Sequence, residues 1–96
     1  MNKYELTVIA RISDTLEQTK EKIKSVLAKY DVSITSEELW GNKRLAYAID
    51  GENEGYYVFM TLDAAPEAIQ KITAEYRLSV DILRFMFVRA KTQKTA

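Results

Sequence analysis

Apolar residues recur at two spacings along this chain, and the order in which these spacings alternate limits the possible folds. Residues 3–12 alternate between apolar and polar, with Tyr4, Leu6 and Val8 on one face, which predicts a half-buried strand. Helical spacing follows and predicts an amphipathic helix from about 14 to 30, with Ser13 and Asp14 as candidate N-caps. Its apolar stripe consists of Leu16, Ile23, Leu27 and Tyr30.

The middle of the chain has the pattern of a β-hairpin. Strand patterns cover residues 33–49 and 56–63, and the turn sequence DGENEG lies between them. Gly41 interrupts the first of these strands, and a glycine within a strand often marks a bulge.

A second helix and a last strand complete the pattern. Pro66 suits the first turn of a helix, and the apolar stripe behind it includes Ile72 and Tyr76. Residues 80–90 predict a final strand, in which Phe85 is a candidate core residue.

The predicted order is β-α-β-β-α-β. Right-handed crossovers turn this order into a ferredoxin-like α+β fold, with a four-stranded antiparallel sheet and both helices on one face. We expect a single domain over residues 1–91 and a short flexible polar tail over 92–96.

One face of this sheet has no helix to cover it. Since Val58, Met60 and Leu62 are expected to face the helices, their neighbours must face outwards. The predicted residues of this open face are Tyr57, Phe59, Thr61, Arg84, Met86, Val88, Lys3, Glu5 and Thr7.

The composition argues against an enzyme. The 96 residues include no histidine and no cysteine, which removes the commonest general acid–base and metal ligands, and there is no glycine-rich phosphate loop. Arg11 and Asn42 resemble an acylphosphatase pair only weakly. We therefore expect no catalysis, no cofactor, no metal and no small-molecule substrate.

The absence of cysteine fits the cytoplasm, and no apolar run approaches the roughly 20 residues that span a bilayer.

A single-strand RNA-recognition domain has the same strand order. The run EGYYVFM at 54–60 loosely matches the aromatic strand on which such domains stack bases. Glu5 and Thr7, however, occupy positions in the first strand where an aromatic residue is needed, so half of the stacking platform is missing.

The run WGNKRLAYAI at 40–49 resembles the signature of the bacterial small-subunit ribosomal protein six family. That signature has a glycine, any residue, two basic or polar residues and then Leu-Ala-Tyr-x-Ile. The resemblance continues through YE at 4–5, GYYVFM at 55–60, AAPEAI at 64–69 and YRLSVDILRFMFVRA at 76–90. Asp50 departs from it, because a basic or polar residue is common there.

The resemblance implies a structural role in the small ribosomal subunit. Such proteins form a heterodimer with small-subunit ribosomal protein eighteen and bind with it to the central domain of 16S ribosomal RNA, on the platform. With 14 basic and 14 acidic residues the chain has no net charge, so a more basic partner would supply much of the phosphate neutralisation. The expected RNA-binding residues are Lys3, Lys43, Arg44, Arg84, Arg89 and Lys91. The expected partner-binding residues are Tyr57, Phe59, Met86 and Val88.

Two other functions remain open at this point: a non-ribosomal RNA-recognition module and a small ligand-binding regulatory domain. The first would bind single-stranded RNA without a partner, and the second would have a small-molecule pocket and a stable homodimer. The place of Trp40, in the core or at a contact, also remains open.

Overall fold

A computed structural model describes residues 2–89, so Lys91 and the predicted tail at 92–96 lie outside the described residues. The fold has four strands and two helices in the predicted order. They are β1 (Asn2–Ala10), α1 (Leu16–Lys29), β2 (Ser33–Ile49), β3 (Glu52–Ala64), α2 (Pro66–Arg77) and β4 (Ile82–Arg89).

The four strands form one antiparallel sheet in the order β2-β3-β1-β4. The first strand of the chain is therefore central and pairs with β3 on one side and β4 on the other. With both helices on one face, this is the predicted ferredoxin-like arrangement, and the fold prediction is confirmed.

The core lies between the sheet and the two helices. Leu6 and Val8 of β1 meet Ile23 and Leu27 of α1 there, all of them fully buried. Tyr76 links α2 to α1, since its hydroxyl donates a 2.9 Å hydrogen bond to the carbonyl oxygen of Ile23. Burial raises the pKa of Tyr76, so the hydroxyl stays protonated as the donor.

The predicted start of the first helix was wrong by about two residues. Thr15, rather than Ser13 or Asp14, occupies the N-cap position, and no side chain caps the helix there. The Ser13 hydroxyl instead accepts a 3.2 Å hydrogen bond from the backbone N–H of Thr15. Ser13 therefore stabilises the turn that precedes the helix.

Two backbone features shape the β2–β3 hairpin. Gly41 adopts φ +84°, and the pairing of the strands shifts there, so the predicted bulge is confirmed. Asp50 and Gly51 both have positive φ, which allows a two-residue turn and a pairing of Ile49 with Glu52. The third strand thus begins at Glu52, four residues before its predicted start.

Candidate protein and nucleic-acid interfaces

The open face of the sheet is built from rows of side chains that the strand pairing fixes. Phe59 of β3, Thr7 of β1 and Met86 of β4 form one row. The row of Tyr57, Ile9 and Arg84 lies on one side of it, and the row of Thr61, Glu5 and Val88 on the other. The four residues expected to bind a partner therefore share one face.

Their exposure differs across that face. Met86 and Val88 are 57% and 44% exposed, whereas Tyr57 and Phe59 are half-buried. Exposed apolar side chains that lie together on one surface indicate an interaction site. Thr7 separates the aromatic residues of β3 from Met86, which interrupts the base-stacking platform that an RNA-recognition domain needs.

Trp40 is part of the open face, a place that the sequence left undecided. Its ring stacks on Phe59, with centroids 5.3 Å apart and planes 8° apart, and on Tyr57 at 6.4 Å. The indole N–H donates a 2.9 Å hydrogen bond to Oε1 of Glu38, which lies opposite Phe59 in the sheet. The side chain remains 44% exposed, so the tryptophan extends the apolar surface onto β2.

Four of the cations predicted to bind RNA form two groups at opposite ends of the sheet. Lys3 and Arg89 lie where β1 begins; Lys3 Nζ is 3.9 Å from Asp63, and Arg89 donates to Asn2 Oδ1 at 3.0 Å. Lys43 and Arg44 lie on the hairpin beyond the other end of β1. No single patch therefore holds the predicted cations within residues 2–89.

The hairpin extends past the sheet because β1 ends at Ala10, opposite Tyr56. Residues 42–55 consequently extend beyond the part of the hairpin that is paired with β1. Lys43 is paired with Gly55 and Arg44 with Glu54, so the two cations point to opposite faces of this extension.

Arg11 holds the tip of this extension in place. Its Nη1 lies 2.6 Å from Glu52 Oε2 and its Nη2 lies 3.5 Å from Asp50 Oδ2. The same guanidinium donates from Nε and Nη2 to the carbonyl oxygen of Val80, in the loop before β4. The resemblance of Arg11 to an acylphosphatase arginine gains no support from these contacts, since two carboxylates and a carbonyl engage its guanidinium.

Arg84 makes a second contact with the extension. Its Nη1 donates a 2.8 Å hydrogen bond to the Tyr47 hydroxyl, and its guanidinium carbon lies 6.0 Å from the centre of that ring. The hydrogen bond raises the pKa of Arg84. Arg84 therefore remains charged while it faces the apolar surface rather than the other cations.

The residues that the structure describes offer no cluster of three metal-binding side chains. Neither α1 nor α2, the two helices described, has the length and apolar character needed to cross a membrane.

A family model described as "Ribosomal protein S6" matches residues 3–89 of this chain. The chain belongs to the ribosomal protein S6 family.

Named relatives of the S6 family agree over most of their length. Small ribosomal subunit protein bS6 of Leptospira biflexa is 36% identical over 94% of this chain and 98% of that protein. The bS6 proteins of Dehalococcoides mccartyi and Chlamydia muridarum are 38% and 40% identical, over 92% and 84% of this chain and 84% and 72% of their own length.

Two solved structures share the fold. The crystal structure of 30S ribosomal protein S6 from Thermotoga maritima superposes with a TM-score of 0.85 at 24% identity, covering 93% of this chain and 87% of that one. The C-terminal domain of MgtC from Mycobacterium tuberculosis gives a TM-score of 0.62 at 12% identity, covering 100% and 95%. At these identities both comparisons concern the fold alone.

Membership of the S6 family decides several predictions made from the sequence. The chain is a structural protein of the small ribosomal subunit and not an enzyme, and it is associated with the ribosome in the cytoplasm.

Proposed function

We propose that this S6 protein binds the central domain of 16S ribosomal RNA, on the platform, as a heterodimer with small-subunit ribosomal protein eighteen. The observation that carries the proposal is the apolar surface on the open face of an S6-family sheet. We call this surface the aromatic face and define it by Trp40, Tyr57, Phe59, Met86 and Val88.

The aromatic face has the properties of a protein contact. Buried aromatic side chains contribute most of the free energy in many protein interfaces, and Trp and Tyr are prominent among them. Here the Trp40 ring stacks on both Tyr57 and Phe59, so these side chains are already ordered before a partner arrives. Side chains that are ordered before binding lose less conformational entropy when the partner binds.

The RNA contacts are proposed for cations at the two ends of the sheet, outside the aromatic face. Lys43 and Arg44 on the hairpin extension, Lys3 and Arg89 at the opposite end of the sheet, and Lys91 beyond the described residues would contact phosphates. Two separated groups suit a protein that lies along RNA beside a partner, because each group can bind its own stretch of backbone. The neutral net charge is consistent with sharing phosphate neutralisation with the partner.

A two-step titration tests the proposal. Purified protein eighteen is titrated first with this chain, and the heterodimer is then titrated with central-domain 16S RNA at several salt concentrations. Phe59→Ala should weaken heterodimer formation by about tenfold or more, because it removes an anchor from the aromatic face. Arg89→Ala should leave that step unchanged and reduce the salt slope of RNA binding by about one unit.

Leu78→Ala is the matched control for Phe59→Ala. Leu78 is 84% exposed at the end of α2, away from the aromatic face, so its loss should change neither step. Normal partner binding by Phe59→Ala would move the interface off the open face. Equal salt slopes for Arg89→Ala and the unsubstituted chain would remove Arg89 from the phosphate contacts. Tight binding of single-stranded RNA without protein eighteen would favour an independent RNA-recognition module.

A further inference from the structure

A groove on the open face lies between β1 and β4 and has Arg84 at its edge. Its volume is about 220 Å³, and it is lined by Thr7, Ile9, Arg84, Phe85 and Met86. A cavity of about 150 Å³ is enough to hold a benzene ring. The groove therefore has room for one large apolar side chain.

The guanidinium beside this groove has donors left for an acidic group. Within residues 2–89, the hydroxyl of Tyr47 is the only hydrogen-bond partner of the Arg84 guanidinium, and no carboxylate forms an ion pair with it. Arginine has five N–H donors in a planar fork, which matches the two oxygens of a carboxylate. Tyr47 engages Nη1 and so restricts the orientation of the fork.

The charges around the groove favour a protein group over an RNA phosphate. Glu5 lies on the same face two rows from Arg84, roughly 13 Å along the strand at about 3.3 Å per residue. Glu38 lies on the same face, hydrogen-bonded to Trp40. Lys3 is on this face too, but it lies beyond Glu5 and its Nζ is 3.9 Å from Asp63. A phosphate backbone laid across the surface near the groove would meet two carboxylates and exposed apolar side chains, whereas a protein segment can place one acid at Arg84 and apolar groups beside it.

We propose that the groove receives a large apolar side chain of the partner, and that a neighbouring carboxylate of the same partner segment pairs with Arg84. This inference rests on the proposed function, since the partner is protein eighteen. It assigns Arg84 to the protein interface, although the sequence grouped it with the RNA-binding cations. Tyr47 acts as a positioning residue that orients the guanidinium.

The test compares Arg84→Gln with Arg89→Gln, which are the same substitution at two arginines of β4. Arg84→Gln should weaken heterodimer formation by about tenfold or more, since it removes one member of a desolvated charge pair. It should leave the salt slope of the later RNA step unchanged. Arg89→Gln should show the opposite pattern. Thermal unfolding of each variant verifies that the fold is retained.

Charge reversal identifies the acidic group. Arg84→Glu should abolish measurable heterodimer formation, and one Asp→Lys or Glu→Lys substitution among the acids of protein eighteen should restore it. Tyr47→Phe should produce a smaller loss than Arg84→Gln, because the charge remains and only its orientation is freed.

The possible failures are distinguishable. If the unsubstituted chain does not bind protein eighteen, the proposed function is overturned and this inference with it. If the unsubstituted chain binds and Arg84→Gln binds equally well, only the inference is overturned. If Arg84→Gln lowers the salt slope of the RNA step instead, Arg84 is a phosphate contact and the sequence-based assignment holds.

Discussion

Gly55 of β3 illustrates how closely the central strands are packed at the level of single residues. It is buried, and a β-carbon built on it would overlap the Cγ2 methyl of Ile9 on β1. Gly55→Ala should therefore lower the free energy of unfolding by about 1–3 kcal/mol, as added atoms do in packed sites. Urea denaturation measures this change.

Steric overlap predicts how Gly55→Ala behaves together with Ile9→Ala. The double variant should lose less stability than the sum of the single variants, because Ile9→Ala removes the methyl that the new side chain meets. Purely additive losses would show that the overlap is not the cause.

Some residue positions were beyond prediction from the sequence for a physical reason. Trp40 lies next to the Gly41 bulge, where one extra residue shifts the alternation of the strand, so counting from either side gives conflicting faces. Ser13 and Asp14 are both good N-cap residues, yet tertiary contacts decide which turn becomes the first of the helix. By contrast, Tyr57, Phe59, Met86 and Val88 were placed together correctly, because regular alternation holds across their strands.

At the level of elements, the helices were predicted well and the hairpin less well. The helical stripes and Pro66 are local signals, and both helices appear within two residues of their predicted starts. The hairpin turn was predicted too long, because the polar sequence after Asp50 and Gly51 suggested a loop. Those polar residues are strand residues, and Arg11 holds Glu52 among them.

A pair of contacts between α1 and α2 gives a pH-dependent contribution to stability. Glu75 accepts a 2.8 Å hydrogen bond from Lys29 Nζ and another from the Tyr30 hydroxyl. The Lys29 contact, followed by that of Tyr30, lowers the pKa of Glu75 below its ordinary value of 4.5. A carboxyl with a lowered pKa stabilises the fold above its unfolded pKa, and this stability is lost as the pH falls through the folded pKa.

We therefore predict that Glu75→Gln lowers the melting temperature at neutral pH and that the deficit shrinks in acid. Melting curves from about pH 7 to about pH 3 test this, because protonation removes the same charge in the unsubstituted chain. Glu21→Gln on the exposed side of α1 is the control and should show little deficit at any pH. A Glu75→Gln deficit that persists at the acid end would mean that lost packing, not charge, is responsible.

At the level of the whole molecule, the core is deepest between the helices and β1. Leu27→Ala should cost about 2–5 kcal/mol of unfolding free energy, since Leu27 is fully buried. The sequence made Phe85 a candidate core residue as well, but Phe85 is only partly buried and packs edge-on against Tyr76. Its loss should therefore be smaller, and denaturant unfolding of both variants measures the difference. Equal losses would indicate that the ring contact with Tyr76 compensates for the lower burial.

The arrangement of charges over the molecule was less predictable than the fold. The sequence identified the exposed cations, but it gave no sign that Lys3 and Arg89 share one end of the sheet while Lys43 and Arg44 extend past the other. That separation depends on strand lengths and on the point where β1 stops, which are set by the pairing of distant residues. The alternation of apolar and polar residues predicts which face of the sheet a side chain lies on. It does not predict which cations of different strands lie at the same end of the sheet.

The central position of β1 has a consequence for the time course of folding. This strand leaves the ribosome before either of its neighbours, and its pairing of Tyr4 with Leu62 and Arg89 must close loops of most of the chain. Non-local pairings of this kind slow folding relative to helical bundles of similar size. During synthesis, therefore, the central strand of the sheet remains unpaired until its neighbours follow, and the sheet is complete only after β4 has emerged.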